Sequence, residues 1–293
     1  MARGDPTARS ITPGASFGRP VFGRPSHAAG SIVLSLAIGL ALASSPARAQ
    51  APQTSAPDAS PAGNQDWRCE VPAALLDSRF AIARTATKLR QGEAVRIVAI
   101  GSSSTEGVGA SSPSATYPAR LEAELAALYP HVAITVVNKG IGGQTSHQVV
   151  ERFADDVLGE GPDVVIWQTG TNSALTRSSP EALVEDLLQG IAILQDAGID
   201  VMLMGPQKAP KFDAAPDGRT LLEQIAVAAD IRQVPLFHRY EVMSYWLSHG
   251  QLSPVNAISP DGLHMTDQSY YCLGHVMARM ISGLVSSNVA SRR

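Results

Sequence analysis

From Val95 onward the chain alternates short apolar runs with longer stretches of helical periodicity, and no other feature limits the possible folds as strongly. The runs cover residues 95–100 (VRIVAI), 132–137 (VAITVV), 163–168 (DVVIWQ), 199–204 (IDVMLM) and 234–238 (VPLFH). Each is too short for a helix and predominantly apolar, which marks a strand buried on both faces. Between them lie helical stretches at 117–129, 146–158, 180–197 and 220–230, with a further helix over about 73–90 and a closing one over 267–286. Two starts carry local signals: Ser179-Pro180 sets a capping residue before a first-turn proline, and Thr220-Leu-Leu-Glu223 fits a capping box. This alternation predicts an α/β fold, a doubly wound three-layer α/β/α sandwich around a five-stranded parallel sheet. Function in such a fold belongs at the carboxyl ends of the strands.

Composition assigns the rest of the chain. With 293 residues, 44% hydrophobic and 17% charged, there is enough material for a sizeable core. Arg3, Arg9, Arg19 and Arg24 precede an uncharged apolar run over 31–43, and Ala47-Arg48-Ala49 supplies a small-x-small cleavage site before Gln50. The run is too short to span a bilayer comfortably. Residues 1–49 are therefore expected to be a signal peptide, giving a secreted or periplasmic protein with no stable membrane insertion after cleavage. Residues 50–66, rich in Pro, Ala and Ser, read as a flexible linker, and the folded domain as 67–293. The net charge of −3 conceals five Arg and one Asp in residues 1–49, so the remainder carries −7. That balance, with only 5% aromatic residues, argues against a nucleic-acid partner. Export would place Cys69 and Cys272, the two cysteines of the chain, in an oxidising compartment, and a disulfide between them is expected. Two separate buried thiols are the alternative; a zinc site or other metal centre is not expected from two cysteines without a nearby ligand cluster.

Each of the first three predicted strands runs into a Gly-containing loop with hydroxyl or amide side chains: Gly101-Ser102-Ser103-Ser104-Thr105, Asn138 to Gly143 (NKGIGG), and Gly170-Thr171-Asn172. Nucleotide-binding loops do not fit. No Lys-Ser/Thr pair follows at phosphate-loop spacing, and after Gly107 and Gly109 the third glycine of a dinucleotide fingerprint is Ser112. The Gly-x-Ser-x-Gly elbow fails as well, because Thr105 stands in its last position. What the loops can form is an acyl-transfer site. Ser103 on a strand-to-helix turn would present its oxygen at the sheet edge, while its own N–H, a glycine N–H and the Asn172 amide offer donors to an oxyanion. Asp261-Gly262-Leu263-His264 spaces a carboxylate and an imidazole so that one ring nitrogen meets the acid and the other stays free to take a proton. Taken singly, these are ordinary turn and cap residues. Their conjunction, in order and at strand ends, favours catalysis.

In these four blocks the chain resembles the GDSL-type, or SGNH, hydrolase superfamily of esterases and lipases over residues 95–275. The resemblance implies the flavodoxin-like, doubly wound version of the sandwich, with Ser103 as nucleophile, Asp261 and His264 as its partners, and an oxyanion hole of Ser103, Gly143 and Asn172. It further implies a carboxylic ester hydrolase acting through an acyl-enzyme, with no cofactor. Two departures stand out. Ser102 replaces the family's usual Asp before the nucleophile, and Ser173 replaces the Asp that often follows the Asn, which predicts altered loop hydrogen bonding rather than lost chemistry. The expected partner is a small-molecule or polysaccharide ester carrying short acyl or O-acetyl groups, and no oligomeric state is implied. A lysophospholipase or thioesterase with the same site, or a catalytically silent carbohydrate-binding relative, are the competing readings. Outside the four blocks, His147 is a candidate cleft residue. His131 reads as a surface turn, His275 as a helix-face residue, and the aromatic stretch of Tyr240, Tyr245 and Trp246, flanked by His238 and His249, as core packing rather than a sugar platform. The loop over 205–212 (GPQKAPKF) should border the pocket.

Overall fold

The computed structural model describes residues 67–287. The expected signal peptide and linker lie outside the described residues. The strands are β1 (Val95–Gly101), β2 (Ile134–Gly140), β3 (Val164–Gln168), β4 (Asp200–Met204) and β5 (Leu236–Phe237), all parallel in the order β2-β1-β3-β4-β5. This is the doubly wound three-layer sandwich the sequence predicts. The chain reverses its direction of winding between β1 and β3, so the crevice of such a sheet opens at their carboxyl ends. β2 runs further than expected, through Asn138 to Gly140, because Gly140 pairs with Gly101 in a continuous ladder. β5 is shorter than expected, pairing with β4 over Leu236 and Phe237 alone.

The helices are α1 (Ala83–Gln91), α2 (Ser103–Glu106), α3 (Tyr117–Leu128), α4 (Ser146–Glu151), α5 (Phe153–Asp156), α6 (Thr171–Leu175), α7 (Pro180–Asp196), α8 (Pro210–Asp213), α9 (Gly218–Arg232), α10 (Arg239–Ser248), α11 (Pro254–Ala257) and α12 (Asp267–Ser286). One layer packs α1, α3 and α12 together, and the other packs α4, α7 and α9. Three helical expectations need correction. The stretch 73–90 is a 3-10 turn (Ala73–Leu75) followed by bends, with α1 starting only at Ala83. The Ser78 hydroxyl accepts the Phe80 N–H, a local bond that competes with helical pairing. The stretch 146–158 breaks at Arg152, whose guanidinium reaches into the sheet edge while Phe153 packs edge-on against Trp167. The capping box predicted at Thr220 does not form, because α9 already starts at Gly218. A capping box forms instead between Thr145 and Gln148 at the head of α4. At α7 the Ser179 cap is present, accepting the Ala182 N–H at 3.1 Å.

β1 and β3 are almost entirely buried, which places the core along the middle of the sheet. On one face α12 lies against α3 so closely that a Cβ on Gly274 would sit 2.9 Å from the Leu121 nitrogen. The expected bridge is present: Cys69 is bonded to Cys272, 203 residues away, tying the start of the domain to α12.

Candidate active site

The turn after β1 starts the site. Gly101 ends the strand where a Cβ would clash with the Gln168 side chain at 2.7 Å, so the turn must begin with glycine. Gln168, at the end of β3, accepts through Oε1 from the Ser102 N–H at 2.8 Å and the Ser102 hydroxyl at 3.0 Å. A serine where the family's Asp is usual thus donates to a neutral amide rather than accepting. Ser103 follows as the first residue of α2, so its own N–H has no acceptor within the helix. The Thr105 hydroxyl, beneath it, meets the Tyr117 hydroxyl at 3.2 Å; burial pushes that phenol up to about 12, although the bond to Thr105 opposes the shift.

The second loop closes over this turn. A Cβ on Gly140 would lie 1.9 Å from the Glu106 nitrogen, so glycine there is what lets the two loops touch. Gly143 is a different case. An added Cβ would meet nothing within 4 Å, but its φ of +79° lies in the left-handed region that glycine occupies without cost. The Asn172 amide, in the first turn of α6, donates to the Gln144 carbonyl at 2.9 Å. That bond uses one of its two N–H groups and ties the second loop to the third.

The fourth loop brings the imidazole. Asp261 Oδ1 accepts from the Ser259 hydroxyl at 2.8 Å, the Leu263 N–H at 2.8 Å and the His264 N–H at 3.0 Å. Its other oxygen accepts from His264 Nδ1. Burial alone would raise this carboxyl, but the bonds from His264 backbone and ring, Leu263 and Ser259 hold it well below the usual carboxylate range. With Nδ1–H donating to Asp261, Nε2 keeps its lone pair, and the Ser103 Oγ lies 3.0 Å from it. Ser103, His264 and Asp261 thus form one hydrogen-bonded line across 161 residues of sequence. Chemically, that line can move a proton off Ser103 onto a base whose charge Asp261 offsets.

Several supporting residues escaped the sequence reading. Arg152 donates to the Gly101 carbonyl at 3.0 Å, the Lys139 carbonyl at 2.7 Å and the Gln144 side chain at 2.7 Å, locking the ends of β1 and β2 to the second loop. Gln207, in the loop expected only to border the pocket, is 1% exposed and Arg239 is 0% exposed. The Arg239 guanidinium donates to the Gly205 carbonyl and to Gln207 Oε1, both at 2.8 Å, and burial pulls its pKa down to about 10, leaving it cationic at neutral pH. No sequence pattern marked either residue, since a lone Gln and a lone Arg have no diagnostic spacing. Among the histidines, His147 is exposed and pairs with Asp186 at 3.0 Å, a contact that raises its pKa, and no contact joins it to the Ser103–His264 line. His275 binds Glu124 at 2.9 Å from the face of α12; of the aromatic stretch expected as core, Trp246 is fully buried while Tyr240 and Tyr245 are half-buried, and the flanking His238 and His249 are exposed. Among the described residues no group of His, Cys, Asp and Glu is arranged to hold a metal ion.

Comparison with known proteins agrees with this fold. The model of the Non-GDSL lipase-like family matches residues 68–287. An acetylxylan esterase of Geobacillus stearothermophilus is 35% identical over 92 residues, 29% of this chain and 42% of that protein. The chain spans about two fifths of the length of the curated relatives it matches. Among solved structures, a two-domain esterase active on acetylated mannans superposes with a TM-score of 0.61 at 20% identity, over 74% of this chain and 56% of that one. A G-D-S-L family lipolytic protein of Desulfitobacterium hafniense DCB-2 superposes with a TM-score of 0.54 at 21% identity, over 64% of this chain and 99% of that one.

Proposed function

The chain belongs to the Non-GDSL lipase-like family, and from that premise we propose that it is an exported serine esterase that removes short acyl or O-acetyl groups, with acetylated carbohydrate as the preferred substrate class. The observation that carries the reading is the hydrogen-bonded line from Asp261 through His264 to Ser103 at the carboxyl edge of the sheet.

In the proposed reaction the Ser103 oxygen attacks the ester carbonyl carbon as its proton passes to His264 Nε2. The carbonyl oxygen becomes an oxyanion held by the N–H groups of Ser103 and Gly143 and by the free N–H of the Asn172 side chain. Collapse breaks the bond to the alcohol oxygen, which leaves with the proton from His264, and the acyl group stays on Ser103. Water then repeats the sequence, giving up a proton to His264 as it attacks, and the acid departs as Ser103 recovers its proton. Asp261 stays ionised throughout, orienting the ring and offsetting the imidazolium charge.

Carbohydrate enters from the relatives. One is named an acetylxylan esterase, and one structural neighbour is described as active on acetylated mannans. Hydrolysis of short- and long-chain p-nitrophenyl esters and of acetylated polysaccharide by purified protein tests the assignment, together with fluorophosphonate labelling of Ser103. Fast turnover of acetyl esters with one label per chain is expected. A preference for long acyl chains would favour a lysophospholipase or thioesterase, and the absence of both turnover and label would favour a binding protein. Export is tested by mass spectrometry of the extracytoplasmic form, with Gln50 expected as its first residue.

A further inference from the structure

The buried pair Gln207 and Arg239 lies beneath the site without belonging to the Ser103–His264–Asp261 line. Gln207 Oε1 accepts from the Thr171 hydroxyl at 3.0 Å, from Arg239 Nη2 at 2.8 Å and, at the limit of hydrogen bonding, from the Ser104 hydroxyl at 3.5 Å. Its Nε2 donates to the Leu263 carbonyl at 3.1 Å. Ser104 follows Ser103, Thr171 precedes Asn172, and Leu263 precedes His264. One amide therefore holds the neighbour of each proposed nucleophile, oxyanion donor and base, on three loops that no other single side chain joins in this way among the described residues. Arg239 anchors the amide in turn, because its Nε donates to the Gly205 carbonyl at the end of β4. A glutamine suits the position chemically. Its carbonyl can serve several donors while its N–H serves a carbonyl, which neither a carboxylate nor an aliphatic side chain can do. Burial strengthens each bond and rigidifies the network.

We infer that Gln207 and Arg239 form a positioning hub that sets the nucleophile, oxyanion-donor and imidazole loops in register with one another, a role that rests on the esterase reading above. The hub touches no reacting atom. It acts by fixing where Ser103, Asn172 and His264 stand relative to each other, and a displacement of about 1 Å in such a site costs on the order of 100-fold in rate.

The test is a kinetic series on the full chain with a short p-nitrophenyl ester. Gln207→Met, which keeps the length but removes acceptor and donor, is expected to lower kcat by about 10- to 100-fold with KM changed less than about threefold. Fluorophosphonate labelling of Ser103 should slow by the same factor. Arg239→Met should act in the same direction. Thr171→Val removes a single arm with little change of volume, so it remains informative if the buried variants fail to fold, and a loss of a few-fold in kcat is expected. The control is Thr85→Val, which cuts a partly buried bond to Asp200 far from the site and should leave kcat within about twofold while lowering the melting temperature. Unchanged kcat and labelling rate in folded Gln207→Met and Thr171→Val would overturn the hub while leaving the esterase reading intact. So would a rise in KM at constant kcat. Wild-type protein that neither hydrolyses esters nor takes the label at Ser103 would overturn both.

Discussion

The two ends of the sheet are both built on buried or half-buried polar groups, yet they use them differently. At the amino ends the groups are carboxylates. Asp163 takes the Arg96 N–H at 3.0 Å and the Lys88 ammonium at 2.8 Å, and Asp200 takes the Thr85 N–H at 2.7 Å and hydroxyl at 2.8 Å. Each carboxylate is held by local donors, and the result clamps α1 to the entrances of β1, β3 and β4. At the carboxyl ends the buried acceptors are the neutral amides of Gln168 and Gln207, which hold loops from below. The triad carboxylate, Asp261, sits at the rim and faces an imidazole that still has a free nitrogen. Carboxylate charge at the quiet end is spent on architecture; at the other, that of Asp261 is left where a proton can move.

That contrast is broken most sharply by substitutions expected to abolish activity without moving stability. Ser103→Ala and His264→Ala should each lower kcat by roughly 10⁴- to 10⁶-fold, because the members of such a unit fail together. Asp261→Asn should fall below that range, since the ring loses its orienting acceptor while the base survives. Melting curves should match wild type for Ser103→Ala; equal turnover in that variant would remove the nucleophile and with it the distinction between the ends. Asn172→Ala should cost about 10²- to 10³-fold, or roughly 3–4 kcal/mol of transition-state stabilisation, read as kcat at saturating ester.

At the amino ends the reverse pattern is expected. Thr85→Val should destabilise by about 1–3 kcal/mol in urea titrations, by leaving the half-buried Asp200 short of a donor. A large change in kcat there would show that the two ends are coupled. The subtlest test uses pH. Burial raises the Asp200 carboxyl even against the Thr85 bonds, so its favourable share is present below the usual carboxylate pKa, near 4, and is lost as pH rises through the folded value. Asp261 is lowered, so its share is present above about pH 4 and is lost as pH falls. Melting temperatures of the two Asn variants relative to wild type should therefore drift in opposite directions between about pH 3 and pH 6: upward with pH for Asp200→Asn, downward for Asp261→Asn. Parallel drifts would refute the contrast.

Much of this was legible in the sequence because it is local. Strand runs such as 163–168 declare themselves by β-branched content, and the four site blocks by residue type at strand ends. Asn138 was legible as a block but not as a strand residue, since only the pairing of Gly101 with Gly140 extends β2 that far. The fracture at Arg152 follows from contacts with carbonyls on two strands, and the late start of α1 is set in part by Ser78, whose bond has no periodic signature. The second loop shows the same limit within a single motif. Sequence reasoning asked only for a glycine N–H to face an oxyanion, and did not foresee that Gly140 admits the neighbouring turn or that Gly143 adopts a left-handed bend. Gln207 was invisible for a related reason: its partners come from three loops that only the fold assembles.

The bond between Cys69 and Cys272 encloses the first three site loops and the Asp261–His264 loop in a single covalent ring. In the chain-entropy view, closing a ring of this size contributes on the order of 5 kcal/mol. A ring has a further property that a linear chain lacks. If a protease cuts it once within any of its loops, the product is still one molecule with two new ends, and it separates into pieces only on reduction. A nick between residues 205 and 212, for instance, parts Ser103 from His264 along the backbone yet leaves them joined through the sulfurs. Nicked protein should therefore migrate as a single species until thiol is added, and the two halves of its site never have to find each other again.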